Sequence, residues 1–191
     1  MNEDLKYEVD AAAKALADGQ IMLYPTDTVW GLGCDATDSD AVERIFALKQ
    51  RSDSKSLIIL VSDADMLCKY VRAIPPMAID LLEINDRPMT IIYPEGVGLS
   101  EKVIAEDGSV AIRIPKNEFC CEMIKAFGRP IVSTSANISG EETPGCFADI
   151  NAAILDGVDH IVEPSLEESS TGRSSQIIKL GMNGEVKVIR E

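Results

Sequence analysis

Three short stretches carry most of the side chains able to do chemistry. In Tyr24-Pro25-Thr26-Asp27-Thr28-Val29-Trp30-Gly31-Leu32-Gly33, three small polar groups and two glycines follow an apolar run. Strand ends in α/β proteins open onto ligand crevices, and glycine lets backbone approach a bound molecule. The same residues also suit a plain turn with a buried tryptophan. In Lys49-Gln50-Arg51-Ser52-Asp53-Ser54-Lys55-Ser56, three cations close a helical pattern. Cations there complement the helix dipole. They also suit phosphate oxygens, lysine as a compact charge and arginine as a planar fork. In Ile131-Val132-Ser133-Thr134-Ser135-Ala136-Asn137-Ile138-Ser139-Gly140, an apolar run passes into hydroxyls and an amide. These side chains cap turns, and they also hydrogen-bond polar small molecules.

Arg113 lies inside the apolar run Val110-Ala111-Ile112-Arg113-Ile114-Pro115. A buried arginine needs an anionic partner, from the protein or from a ligand. His160 is the only histidine, which removes the usual nucleophile–histidine pairings and histidine-rich metal sites. The five cysteines (Cys34, Cys68, Cys120, Cys121 and Cys146) show no Cys-x-x-Cys spacing and read as small buried apolar residues. Catalysis without such groups rests on positioning and charge.

The elements that must position these residues are legible as periodic runs. Leu5, Val9, Ala12, Ala13 and Leu16 recur at helical spacing, with Gly19 as a stop. Helical patterns also cover residues 40–49, 63–71, 77–84, 118–127 and 147–155. Strands are expected at 21–24, 57–61, 89–93, 110–114, 130–133 and 160–162. A closing hairpin, 176–180 with 185–189, turns on Asn183-Gly184. Residues 165–175, rich in Ser, Glu and Gly, read as a mobile loop able to close as a lid. Continuous apolar strands imply an α/β fold, a sheet covered by helices and made mixed by the closing hairpin. The 191 residues suit one domain spanning 1–191.

Lys and Arg total 18 against 32 Asp and Glu, a formal net charge of −14. Such a field repels nucleic acid unless positive charge is localised, while leaving room for a small anion held by a few focused cations. No apolar run is long enough to cross a membrane, and the acidic start Met1-Asn2-Glu3-Asp4 lacks the features of a signal peptide. The expectation is a cytoplasmic protein.

Together and in this order, Pro25-Thr26-Asp27-Thr28-Val29-Trp30-Gly31-Leu32-Gly33, Lys49-x-Arg51, Val110-Ala111-Ile112-Arg113-Ile114-Pro115 and Ser133-Thr134-Ser135-Ala136-Asn137-Ile138-Ser139-Gly140 resemble the YrdC-like threonylcarbamoyl-AMP synthase family. The resemblance covers nearly the whole chain, which ends at Arg190-Glu191 like the short, single-domain type. It implies a twisted open mixed sheet flanked by helices. It also implies an enzyme, a nucleotidyltransferase that joins L-threonine, bicarbonate and ATP into threonylcarbamoyl-AMP and pyrophosphate, with Mg²⁺ on the phosphates. A separate tRNA-modifying transferase would pass the product to adenosine 37 of tRNA, and weak tRNA contact is open. By motif, Thr28, Arg113, Ser135 and Ser174 would contact threonine. Lys49, Arg51, Lys55, Ser109, Asn137 and Arg190 would contact ATP, with Lys49 and Arg51 as the catalytic cations and no protein metal ligand.

The chain departs from the family pattern at three places. Ser52 stands where a proline is usual, Leu60 where a histidine is, and Asn85-Asp86-Arg87-Pro88-Met89-Thr90 where Trp-Pro-Gly-Pro-Leu-Thr is. These touch loop stiffness and the threonine side of the site. A double-stranded RNA- or tRNA-binding translation factor, or a paralogue with a different acceptor, are the competing readings.

Overall fold

The computed structural model describes residues 2–50, 57–167 and 170–191. Helix α1 (Glu3–Ala17) starts where the Asn2 side chain accepts the Leu5 amide, and Glu3 and Asp4 sit at its positive end. Its inward stripe of Val9, Ala12 and Leu16 is buried. The chain leaves α1 through Gly19, at φ 72°, a conformation that favours glycine. Strand β1 (Met22–Tyr24) then pairs antiparallel with β2 (Gly31–Asp35). Helix α2 (Ser39–Leu48) is capped by Asp38, whose carboxylate accepts the amides of Asp40 and Ala41.

The remaining elements are β3 (Ile58–Leu60), α3 (Ala64–Tyr70), α4 (Pro76–Ile84), β4 (Met89–Tyr93), β5 (Val110–Arg113), α5 (Glu118–Phe127), β6 (Ile131–Ser135), α6 (Ala152–Gly157), β7 (His160–Ile161), β8 (Gln176–Leu180) and β9 (Val186–Arg190). The strands form one open sheet in the order β7-β1-β2-β6-β3-β5-β4-β8-β9. It is mixed throughout, not only at the closing hairpin. β1–β2, β2–β6, β3–β6 and β4–β5 are antiparallel, while β1–β7, β3–β5 and β4–β8 are parallel. No helix of the described residues is long and apolar enough to cross a membrane.

Alternation along β1 separates two cores. Met22 and Tyr24 join the larger cluster, while Leu23 joins a smaller one with Trp30, Leu32, Ile138 and Ile154 on the opposite face. The Trp30 ring packs against Phe147 with centroids 5.0 Å apart.

Three stretches show detail that the sequence pattern does not give. Gly31-Leu32-Gly33 is strand rather than turn, because the two glycines make room for a ring. A Cβ on Gly33 would stand 2.7 Å from Tyr24 Cε1, so the Tyr24 ring lies across the glycines. The helical pattern over 147–155 breaks into a 3₁₀ turn (Phe147–Asp149) and α6. The break is at Asn151, whose side chain caps α6 by accepting the Ala153 amide. Residues 165–175 contain part of a 3₁₀ turn (Pro164–Glu167), and 170–171 are tied down: the Thr171 amide donates to Asp27 O and the Ser170 hydroxyl to Thr28 O.

Candidate active site

The strand register assembles the site on one face of the sheet. Gly31 lies opposite Ser135, Gly33 opposite Ser133, Ser133 opposite Ile58, and Leu60 opposite both Ile131 and Arg113. Directly paired residues share a face, as do residues two apart on a strand. Ser133, Ser135, Ile58 and Arg113 therefore point to the same side as Tyr24. Over them lies a cleft of about 200 Å³. Of the expected contacts, Thr28, Arg113, Ser135, Ser174 and Arg190 line it together. Ser133, Thr134, Ser175 and Gly31 line it as well. The lining holds two arginines and no acid, in a chain of net charge −14. Arg190, which has no carboxylate partner among the described residues, is the charge that can draw a small anion, while Arg113 is already paired with a buried carboxylate.

Arg113 has a protein partner. Its Nη1 donates to Asp27 Oδ1 at 2.7 Å, and both side chains are almost wholly buried. The second Asp27 oxygen accepts the Lys116 amide at 3.1 Å, which fixes the turn after β5. Arg113 Nη2 donates to Thr28 Oγ1 at 3.3 Å, and its Nε is buried with no partner among the described residues. The Thr26 hydroxyl spends its proton on Val29 O, so the 2.8 Å contact between the Thr26 and Thr28 hydroxyls is donated by Thr28. Thr28 thus offers a ligand its lone pair. The pocket floor is set for a donor at Thr28 and an acceptor at Arg113.

The opposite wall comes from the residues just before β8 and from the end of β9. Arg190 Nε and Nη2 both donate to Ser175 O, at 2.9 and 2.8 Å. The Ser175 hydroxyl meets Thr90 Oγ1 at 2.8 Å. Among the described residues, Arg190 Nη1 has no partner and remains for a ligand. Burial, and then the like charge of Arg113, lower the Arg190 pKa from the usual guanidinium value.

The remaining expected residues lie elsewhere. Ser109 lines a neighbouring cavity of about 410 Å³, walled by Leu57, Ile58, Ile92, Val103, Ile177 and Ile189. The two cavities share Ile58. Lys49 lines neither. It is 2% exposed, and its ammonium donates to Ser135 O and Asn137 O. Asn137 spends its NH₂ on Ile138 O and Glu141 O, leaving Oδ1 buried without a partner among the described residues. Arg51, Lys55 and Ser52 fall outside the described residues. Leu60 is fully buried beside Arg113 on the same face of the sheet and does not itself line the cleft.

A model of the Sua5/YciO/YrdC family, described as "Telomere recombination", matches residues 14–191. The chain belongs to this family. It is 33% identical over 181 residues to the threonylcarbamoyl-AMP synthase of Pseudoalteromonas translucida, covering 93% of this chain and 95% of that protein. The threonylcarbamoyl-AMP synthase of Chromohalobacter salexigens is 36% identical over 159 residues, covering 83% and 85%. The crystal structure of P. abyssi Sua5 complexed with L-threonine superposes with a TM-score of 0.81 at 27% identity, covering 92% of this chain. This chain spans 51% of that longer one. E. coli YciO shares the fold, with a TM-score of 0.79 over 96% of the chain at 24% identity.

Within this family frame, several lining residues went unmarked in the sequence. Ser133 was legible in principle, since it lies two residues before Ser135 on the same strand and so on the same face. Ser175 sits beside Ser174, and only the Thr90 and Arg190 contacts show that it belongs to the wall. Asp27 carried no sequence signal as the partner of Arg113, because 86 residues separate them.

Proposed function

We propose that this chain is an L-threonylcarbamoyladenylate synthase, a nucleotidyltransferase that makes threonylcarbamoyl-AMP and pyrophosphate from L-threonine, bicarbonate and ATP. The product would serve N6-threonylcarbamoyladenosine formation at tRNA position 37 through a separate transferase. The observation that carries the reading is the acid-free cleft where Arg113, Arg190, Thr28, Ser135 and Ser174 converge, in a chain whose relatives bear that name.

Threonine would lie over the floor, its carboxylate toward Arg113 and its donors toward Thr28, Ser135 and Ser174. ATP would lie along the Arg190 side with its base in the apolar cavity beside Ser109, and Arg51 and Lys55 are the cations the motif assigns to its phosphates. Asn137 Oδ1, an acceptor, suits a ribose hydroxyl or an amino group rather than a phosphate oxygen. The threonine amine nitrogen first bonds to the bicarbonate carbon as a C–O bond breaks and water leaves, giving a carbamate. A carbamate oxygen then bonds to the α-phosphorus as the bond to the bridging oxygen breaks, and pyrophosphate leaves with that electron pair. No histidine or cysteine nucleophile is required; alignment and charge neutralisation carry the step.

Mg²⁺ belongs to the proposal as the counter-ion of the triphosphate. The described residues hold no group of three or more His, Cys, Asp or Glu that would cage it, and Asp27 is taken by Arg113. The ion would therefore be held mainly by phosphate oxygens.

The test is pyrophosphate release with ATP, Mg²⁺ and bicarbonate, with and without L-threonine. Release should depend on threonine, and the acylated adenylate should appear by mass spectrometry. Pyrophosphate release indifferent to threonine, or none at all, removes the reading.

A further inference from the structure

Lys49 is the C-cap residue of α2, a place where a lysine normally reaches into water and complements the helix dipole. Here it does neither freely. The side chain is 2% exposed, and its ammonium donates to the carbonyls of Ser135 and Asn137, the latter at 2.6 Å. The connection is reciprocal, because the Ser139 amide donates to Lys49 O at 2.9 Å. One residue thus binds the exit of β6 through both its side chain and its main chain. Lys49 lines neither the cleft nor the apolar cavity, whereas Ser135 lines the cleft.

Both accepted carbonyls belong to the Ser135-Ala136-Asn137 turn. The Ala136 amide between them donates to Trp30 O at 3.0 Å, and the Asn137 amide to Ser135 O at 2.9 Å. A turn whose carbonyls converge on one ammonium has little freedom to rotate its peptides. Its Ser135 side chain is thereby held toward the cleft. A buried ammonium is costly unless hydrogen-bonded, so the carbonyls and the cation hold one another in place.

We propose that Lys49 is a positioning residue: its ammonium clamps the Ser135–Asn137 turn that walls the cleft, and it acts on the substrates through that turn rather than by touching the phosphates. This rests on the synthase reading for its effect on turnover, but not for its effect on the free protein. Removing the clamp loosens the turn before any ligand binds, and it removes what Ser135 and Asn137 contribute, once.

Two measurements on the full chain decide it. In ligand-free Lys49→Met, amide exchange at 136–139 should speed up about tenfold or more relative to the wild type, while 31–35 in β2 keeps its wild-type rate. Unchanged exchange at the turn overturns the proposal. In turnover, Lys49→Met should lower kcat/KM about as far as Ser135→Ala/Asn137→Ala, near the 10²-fold typical of a lost positioned group. Adding Lys49→Met to that double variant should cost less than about threefold more, the non-additivity expected of groups acting as one unit. A further multiplication by tens would mean that Lys49 touches substrate independently, and would sink the idea.

If Lys49→Met does not fold, the wild type supplies a check through nitrogen-15 NMR of the lysine ammonium. Its protons should be shielded from water in the free protein and keep their coupling to the turn carbonyls when a non-hydrolysable ATP analogue binds. Loss of that coupling on binding overturns the proposal. Absence of threonine-dependent turnover in the wild type would remove the synthase reading alone, and the exchange experiment would still decide Lys49.

Discussion

Asp27 Oδ1 lies 2.7 Å from Arg113 Nη1, and the two side chains are 7% and 4% exposed. The pair is both a support and a feature of the cleft floor. Arginine stays charged even when buried, so the carboxylate is what makes its burial tolerable. Asp27→Asn keeps the shape and removes the charge. It should destabilise the protein by about 3–5 kcal/mol, the cost of an uncompensated buried charge. Denaturant unfolding measures this directly. The paired replacement Asp27→Leu/Arg113→Met should recover most of the loss, because well-packed apolar pairs often match a buried ion pair. A single Asn variant as stable as the wild type would show that Arg113 does not depend on this partner.

Arg113→Lys should separate the two substrates. Lysine keeps the charge but loses the fork that holds Asp27 and Thr28 while leaving an edge for a carboxylate. The threonine KM should rise by about 10- to 100-fold, with the ATP KM within about threefold, as expected when one oriented charged contact is lost. Steady-state kinetics with each substrate varied provides the check. Equal rises in both KM values would place Arg113 between the two sites rather than on the threonine side.

Gly33→Ala tests the packing beneath the cleft. The new Cβ would meet Tyr24 Cε1 at 2.7 Å and the Val132 carbonyl oxygen at 2.9 Å. Neither can yield easily, since the Tyr24 ring is fully buried and the carbonyl belongs to β6. The loss should be about 1–3 kcal/mol, the usual range for an overpacked core, and appear as a lower Tm. The smaller Gly31→Ala change, with its nearest atoms at 3.2 and 3.3 Å, should cost less stability yet place a methyl group at the cleft floor. A Gly33 variant as stable as the wild type would mean that Tyr24 has room to move.

How much of this was legible in the sequence follows from how local each signal is. β4 and α5 were read with the boundaries they have, because an apolar run or a helical stripe declares itself within ten residues. No strand is legible at Gly31-Leu32-Gly33, which suits a plain turn as well as a ligand crevice, because glycine is a poor strand former. The Tyr24 ring that makes glycine necessary is visible only once β1 and β2 pair. The site divides in the same way. Thr28, Arg113, Ser135, Ser174 and Arg190, expected by motif, do meet in one cleft. The roles of Asp27, Ser175 and the Lys49 ammonium are contacts across 86, 85 and 86 residues, and no local pattern encodes them.

Beside the apolar cavity, Asp107 makes three contacts at once. Its carboxylate accepts from Lys179 Nζ at 2.6 Å, the Ser109 amide at 3.0 Å and the Ser109 hydroxyl at 2.5 Å. The Lys179 hydrogen bond first, and then the two from Ser109, hold its pKa well below the usual carboxylate value. A carboxylate lowered in this way stabilises the fold above its unfolded pKa, about 3.9. That contribution is lost as the pH falls through the folded value. Stability of the wild type should therefore drop more steeply below about pH 4 than that of Asp107→Asn, which has no such proton to take up. Thermal unfolding of both proteins from neutral pH down into the acid range should show two Tm curves separated at neutral pH and converging in acid. A separation that stays constant across the range would mean that Asp107 supports Ser109 and Lys179 by shape alone.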